Sequence, residues 1–274
     1  MAIPTLTMIP SGYNTGKVYS VLPINGDGDF DFTRSSSATR VNKRGLIETV
    51  LSNVPRLDYS DGSCPSLLLE PESRNLLSYS ENYSDSSWLK ERISYTSIVG
   101  QSVISGNTNI NNITDSTDNN THIIYKSYAS FNTSLKYTFS TFLKKGSLNY
   151  AFLAFADTDA RTCIFNLNLG TIHNQGSSID SAKIENIGND WYKCSITFTP
   201  YLTSLLVRIG TSNGNRVYTG SGSGNIYIDA TQLEQQSYPT SYIKTTTSAV
   251  TRNLDNCFGA GNANLFDITQ GVIF

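Results

Sequence analysis

The sequence predicts an all-β protein, an antiparallel sandwich or barrel. Three observations carry this. Short segments of alternating polarity recur from residue 85 onward, with Gly, Asn and Ser clusters between them about every dozen residues. Tyrosine (16) and phenylalanine (12) are frequent and methionine (2) is rare, a mix that suits pleated, half-buried surfaces. No stretch of three helical turns shows a 3.6-residue apolar period.

Taken in order, residues 1–84 are the least regular part. Pro4, Pro10, Pro23, Pro55, Pro65 and Pro71 fall here, six of the chain's eight prolines, and proline confines strands to short or edge pieces. The expectation is an extended arm of short strands and turns. Its small core would be Leu46, Ile47, Val50 and Leu67 to Leu69, too little apolar periodicity to fold well alone. The arm is therefore expected to dock on something.

Seven strands then follow at 121–128, 135–146, 149–157, 161–170, 191–200, 204–212 and 225–234. In the second, Tyr137, Phe139, Thr141 and Leu143 share one face. In the fourth, Cys163, Phe165, Leu167 and Leu169 alternate against Asn166 and Asn168. In the fifth, Tyr192, Cys194, Ile196 and Phe198 point inward while Lys193, Ser195 and Thr197 point outward. The tail, 246–274, ends in GVIF, which reads as the start of a buried strand and suggests a natural chain that continues into a further domain.

Composition narrows function. The 274 residues carry 15% charged side chains and a net charge of -2, without the basic footprint of a phosphate-driven nucleic-acid binder. No run approaches the roughly 18 to 20 apolar residues of a membrane span. The start, MAIPTLTMIPSGYNTGK, has neither the basic nor the apolar region of a signal peptide. The four cysteines, Cys64, Cys163, Cys194 and Cys257, are widely spaced and match no common zinc pattern. Cys163 and Cys194 occupy inward strand positions, where a small buried hydrophobe is the default and a disulfide an open alternative.

Candidate chemistry is sparse. In GDGDFDFTRSSSATR (26–40), Asp27, Asp29 and Asp31 sit at alternate positions. An EF-hand counted from Asp27 would need glycine sixth and glutamate twelfth, where this chain has Phe32 and Ala38. A strand with Phe30 and Phe32 on the opposite face to Asp29 and Asp31 fits better, although a looser calcium site stays open. His122 and His173 belong to no nucleophile motif, and His122 reads as a surface or rim residue. GSGSG (220–224) joins two strand-like segments, so a flexible hairpin is favoured over a phosphate loop, which needs a following helix. Asp157 and Asp159 would share a face as a glycosidase-type carboxylate pair, but stand at a strand end where Asp is an ordinary turn residue. Arg34, Arg40, Lys43 and Arg44 read either as a docking patch for an acidic surface or, slightly favoured, as a solvated loop. No catalytic residue, metal ligand or cofactor is assigned. Aromatics are the better candidates, since ring faces serve as platforms for sugars. Trp88, Tyr201 and Tyr218 are the glycan-binding candidates, with a place at a core edge an equal alternative for Trp88, while Trp191 reads as core entry.

Four segments together resemble bacteriophage virion proteins of the tail-fibre, tailspike and head-fibre type. They are YSVLPINGDGDFDFTRSSSATRVNKRGLIETV, NVPRLDYSDGSCPSLLLEPESRNLLSYSENYSDSSW, WYKCSITFT and IYIDATQLEQQSYPTSYIKTTTSAVTRNLD. Lys244 departs from the pattern, which usually has proline there. The resemblance implies a jelly-roll β-sandwich at 85–245, similar to carbohydrate-binding modules, behind an N-terminal attachment and oligomerisation region at 1–84. It implies a structural, non-enzymatic virion subunit, commonly a homotrimer, assembled in the host cytoplasm. Such a subunit would hold other capsid or tail proteins through its N-terminal region and contact host surface glycans, with no nucleic-acid partner and no membrane insertion. A glycan-degrading tailspike-type enzyme and a secreted carbohydrate-binding module are the alternatives.

Overall fold

The computed structural model describes residues 6–60 and 62–261, and these are almost wholly β. The chain divides into two compact units. The first comprises Met1–Lys43, Glu48–Glu72 and Arg252–Phe274; the second comprises Arg44–Ile47 and Ser73–Thr251. The strand expected at GVIF lies outside the described residues.

In the first unit, Thr7–Asn14 and Lys17–Leu22 form an antiparallel hairpin whose turn uses Gly16 at φ +77°. Phe30–Thr33 extends this sheet, and Asn256–Phe258 returns from the far end of the chain to complete it, with Cys257 opposite Phe32. The GDGDFDF stretch is thus a turn and a strand. Asp29 accepts hydrogen bonds from the Ser20 backbone N–H and hydroxyl, Asp31 pairs with Lys17 at 3.5 Å, and Phe32 is buried.

The expected arm is instead a compact unit, and the reason is chemical. Val18, Phe32, Val41, Val50 and Leu57 make only a modest apolar interior. The remaining interior is arginine: Arg34, Arg56 and Arg252 are each at most 1% exposed. Asp255 accepts from Arg34 Nη1 at 2.9 Å and from Arg56 Nη2, while Glu70 pairs with Arg56 at 2.9 Å and Arg252 at 3.2 Å. Backbone carbonyls of Ser36, Leu51, Thr39 and Pro71 take further guanidinium donors. Buried charge is tolerated only when paired and hydrogen-bonded in this manner. Arg34 is accordingly neither docking patch nor solvated loop, and Arg40 is tied to Glu48 at 2.8 Å. Of the expected core, Val50 is buried but Leu69 is exposed, and Ile47 belongs to the second unit.

The second unit is a sandwich of two six-stranded antiparallel sheets. The first runs, in spatial order, Ile93–Val99, Asn109–Asp115, Asn225–Glu234, Tyr137–Lys145, Trp191–Phe198 and Ser181–Gly188. The second runs Thr171–Gln175, Thr162–Asn166, Tyr150–Ala154, Leu205–Ser212, Ile123–Tyr128 and Leu89–Glu91. Phe139, Leu143, Ile196, Phe198, Ile226 and Ile228 of the first sheet meet Ile124, Leu153, Phe165, Val207 and Ile209 of the second in one core. Phe155 stacks on Phe198 with ring centroids 4.1 Å apart.

The inward residues Cys194, Ile196 and Phe198 are buried as the alternation requires, yet Ser195 and Thr197 are buried too. The outer face of the first sheet is covered by the polar segment that follows Glu234. Thr138 Oγ1 donates to the Gln236 carbonyl, Lys193 Nζ to the Thr240 carbonyl, and Ile243 N–H to Gln232 Oε1. Glu234 is clamped by the Ser73 hydroxyl at 2.6 Å and by the Thr240 hydroxyl and N–H. Asn75 Nδ2 bridges the carbonyls of Thr231 and Ile243. These contacts, with buried Leu77 and Tyr83, draw residues 73–84 into the sandwich unit rather than into an arm ending at 84. Leu169 departs from the alternation: it is exposed at the hairpin tip, where Asn166 Oδ1 accepts from Asn168 and Leu169 N–H.

Candidate functional site

A cleft of about 530 Å³ opens beside the edge strand Ile93–Val99 of the first sheet. Three stretches of the second unit line it: 79–84, 95–111 and 244–246. Ser97 lies opposite Asn111 and Val99 opposite Asn109 in the antiparallel register. Strand alternation therefore places Tyr95, Ser97, Asn109 and Asn111 on one face. Asparagine is depleted in strands, so two at alternate positions on one face are an outlay of side-chain amides that sheet formation does not require.

The floor is fixed by a relay of hydrogen bonds. The Tyr95 hydroxyl donates to Asn111 Oδ1 at 2.8 Å, and Asn111 Nδ2 donates to Asp229 Oδ1 at 3.5 Å. Asp229 is fully buried behind Asn111, with the Ser102 hydroxyl donating to its other oxygen at 2.5 Å. Burial pushes the Asp229 carboxyl up to about 7, with the Ser102 hydrogen bond opposing.

One wall is Tyr79, whose φ of +54° is uncommon for a bulky residue. Three contacts hold it there. Trp88 Nε1–H donates to its carbonyl at 2.9 Å, its N–H donates to the Thr246 carbonyl at 2.5 Å, and the Lys126 ammonium lies 5.3 Å from its ring centroid. Lys126 itself is buried, donating to the Ser78 carbonyl and to the Ser78 and Ser87 hydroxyls. Desolvation draws its ammonium down to about 8, with Asp85 opposing.

The charged groups of the cleft are Glu81 and Lys244, 2.6 Å apart. The other Glu81 oxygen accepts from the Tyr242 hydroxyl at 3.0 Å. Lys244, the residue that departs from the proline of the resembling proteins, thus stands in the cleft.

The three sequence candidates do not come together there. Trp88 is 1% exposed, packed on Tyr83 at 5.2 Å between centroids, and is a core ring rather than a platform. Tyr218 is 6% exposed, its hydroxyl bonded to Asp115 at 3.0 Å and Thr211 at 2.8 Å, which removes it as well. Tyr201 is 47% exposed, but the Arg161 guanidinium lies 3.9 Å over its ring. Trp191 is core, as its context suggested.

The remaining motifs resolve structurally. Asp157 pairs with Arg208 and Arg216, and Asp159 with Arg216, so both carboxylates are held in ion pairs. His122 is buried, not at a rim, with Nδ1 2.8 Å from the Arg92 carbonyl and Nε2 3.2 Å from the Tyr218 carbonyl. The GSGSG run is no loose hairpin: the N–H groups of Ser221 and Gly224 donate to the buried Asp115 carboxylate. All four cysteines are free thiols. Among the described residues, no group of three or more His, Cys, Asp or Glu side chains is placed to hold a metal ion.

Apart from Lys244, noted only as a departure from a pattern, the cleft residues were not singled out in the sequence. The signal available was NTNINN at 107–112, four asparagines in one strand and its approach.

No family model matches this chain, and no curated protein does. Among solved structures, the chain is similar to the enzymatically active domain of bacteriophage CBA120 tailspike protein 4, at 11% identity and a TM-score of 0.37, over 58% of this chain and 21% of that one. It is similar to the CBM22-1–GH10 modules of a Clostridium thermocellum endo-1,4-β-D-xylanase complexed with xylohexaose, at 11% identity and a TM-score of 0.37, over 64% of this chain and 30% of that one. It is also similar to a CBM22-1 xylan-binding domain from Paenibacillus barcinonensis, at 11% identity and a TM-score of 0.35, over 60% of this chain and 94% of that one.

Proposed function

We propose that the chain is a non-catalytic, fibre-type subunit of a bacteriophage virion whose β-sandwich contacts host surface glycans through the Tyr79–Tyr95 cleft. The virion assignment rests on the four resembling segments. The glycan assignment rests on one observation: a cleft lined by two tyrosines and four asparagines, with its floor pre-set by the Tyr95–Asn111–Asp229 relay. Recognition sites combine ring surface with a few placed polar groups, and pre-organisation lowers the entropic cost of binding. Weak sugar sites gain from repetition, which is why a closed homotrimer suits such a subunit. The first unit, with its buried arginine cluster, is the proposed attachment region to capsid or tail proteins. A non-enzymatic role is supported by the pairing of Asp157 and Asp159 with arginines, which leaves neither carboxylate as a free acid or base.

The test is an array of bacterial surface polysaccharides probed with the full chain and with Tyr95→Ala. Binding by the wild type that falls tenfold or more in the variant supports the cleft; binding that survives the substitution removes it. Light scattering then reads assembly, with a mass of roughly three times 30.1 kDa expected for the trimer and a clean monomer counting against it.

A further inference from the structure

We infer that the cleft takes uncharged, hydroxyl-rich sugar units and discriminates against acidic ones, with the Glu81–Lys244 pair as the discriminating element. This rests on the glycan-contact function proposed above and names the class of sugar.

The charges of the cleft are internally satisfied. Glu81 gives one carboxylate oxygen to Lys244 at 2.6 Å and the other to the Tyr242 hydroxyl at 3.0 Å. The Glu81 side chain is 16% exposed and that of Lys244 is 60% exposed, so the cation forms the solvent side of the pair. The nearby Lys90, 5.4 Å from the Tyr95 ring centroid, donates to the Trp88 carbonyl. Recognition of a sugar carboxylate needs a cation free to meet it. Here an acidic sugar would have to share Lys244 with Glu81 and rest beside that carboxylate, whose charge already offsets the cation's.

The hydrogen-bonding capacity that remains is neutral. Asn82 Oδ1 accepts from Ser84, and Asn107 Oδ1 accepts from the Asn109 N–H. Among the described residues, the Nδ2 groups of Asn82 and Asn107, the whole Asn109 amide and the Ser97 hydroxyl take no partner, and all four residues line the cleft. A primary amide offers acceptor and donor side by side, the complement of a pair of adjacent sugar hydroxyls. A site built to bond hydroxyls discriminates strongly against ligands that leave its groups unpaired.

The test is a titration of the isotope-labelled full chain with maltohexaose, cellohexaose and chitohexaose, and separately with hexagalacturonic acid, followed by backbone amide shifts. At least one uncharged hexamer is expected to shift Asn107, Asn109 and Lys244, and hexagalacturonic acid is expected to leave them still. Asn109→Ala, at an exposed position, should weaken the uncharged ligand fivefold or more. Glu81→Gln retains an acceptor for Tyr242 and releases Lys244, so it should raise hexagalacturonic acid binding fivefold or more. Stronger binding of hexagalacturonic acid by the wild-type cleft, or no gain in Glu81→Gln, overturns the inference and leaves glycan contact standing. Shifts by an uncharged hexamer confined to other surfaces overturn it as well. Silence with every hexamer overturns the glycan-contact function itself, and the inference with it.

Discussion

Asp255 accepts a hydrogen bond from Arg34 Nη1 at 2.9 Å across 221 residues of sequence, and both side chains are fully buried. Arg34 belongs to the TRSSSATR segment and Asp255 to TRNLD, while Arg56 and Glu70 belong to the segment running from NVPRLD to LEPES. Three of the four stretches that carry the virion-protein resemblance therefore meet in one ion cluster. Three guanidinium groups share two carboxylates there, and loss of one carboxylate leaves several cations in a dry interior.

Asp255→Asn is accordingly expected to destabilise the first unit by about 3–5 kcal/mol, the range for breaking a buried pair by removing one partner. Hydrogen exchange resolved by segment is the measurement. Protection should fall across 7–58 and 252–258 while Phe139, Ile196 and Val207 in the sandwich keep theirs. Uniform loss over both units would show that the cluster does not stabilise its own unit alone.

Removing the Trp88 ring tests the corrected aromatic assignments. Trp88→Ala is expected to cost about 3–5 kcal/mol, the range for deleting a large buried aromatic, because the ring packs on Tyr83 and its N–H holds Tyr79 in place. Tyr201→Ala, at a half-exposed ring under Arg161, should cost about 0.5 kcal/mol or less, in line with surface substitutions. Urea unfolding of the two variants reads the contrast, and similar losses in both would contradict the burial difference.

These corrections show what a single sequence displays. Period-two alternation in WYKCSITF and LKYTFSTF is local, so the sandwich was legible. Which of two alternating faces is wet is not local. Lys193, Ser195 and Thr197 looked outward, and the chain that covers that face lies 40 to 47 residues on, with Thr197 bonded to Ser237 and Lys193 to Thr240. The first unit looked too poor in apolar residues to be compact because its interior is arginine, and Arg34 and Arg56 pair with a carboxylate 221 and 199 residues away, Asp255. Tyr218 looked like a ring open to sugar because Asp115, its partner, is 103 residues away. The cleft was missed because it joins three segments, of which only NTNINN carries an unusual composition.

Glycines of the 220–224 loop offer a sharp test of the Asp115 clamp. A Cβ on Gly220 would stand 1.9 Å from the Ser116 carbonyl oxygen, and one on Gly224 would stand 2.6 Å from Asp115 Oδ2. Either Gly→Ala change forces backbone or carboxylate to move, with an expected loss of about 1–3 kcal/mol, as for overpacked sites. Ser223→Ala, on an exposed hydroxyl of the same loop, should be near neutral. Thermal shifts of the three variants decide it: equal behaviour would mean that the loop does not close tightly on Asp115.

Two buried groups give stability opposite slopes with pH. Asp229 has its folded value raised to about 7 by burial from an ordinary 3.8, so its contribution is complete below about 4 and is lost as pH rises through 7. Lys126 has its folded value lowered to about 8 by desolvation from an ordinary 10.5, so its contribution is complete above that ordinary value and is lost as pH falls through 8. The shifts correspond to contributions on the order of 4 kcal/mol for Asp229 and about 3 kcal/mol for Lys126. The pair should leave the sandwich least stable between pH 7 and 8. Asp229→Asn removes a titrating group, and relative to wild type it should flatten the fall between pH 4 and 7 without touching the rise above 8. Lys126→Met should do the reverse. Denaturant midpoints of the second unit across pH 4 to 10, read as differences between each variant and wild type, check both. A wild-type stability that rises steadily from pH 4 to 7, with Asp229→Asn following the same curve, would mean that the carboxylate behind Asn111 is not held in its protonated form by the fold.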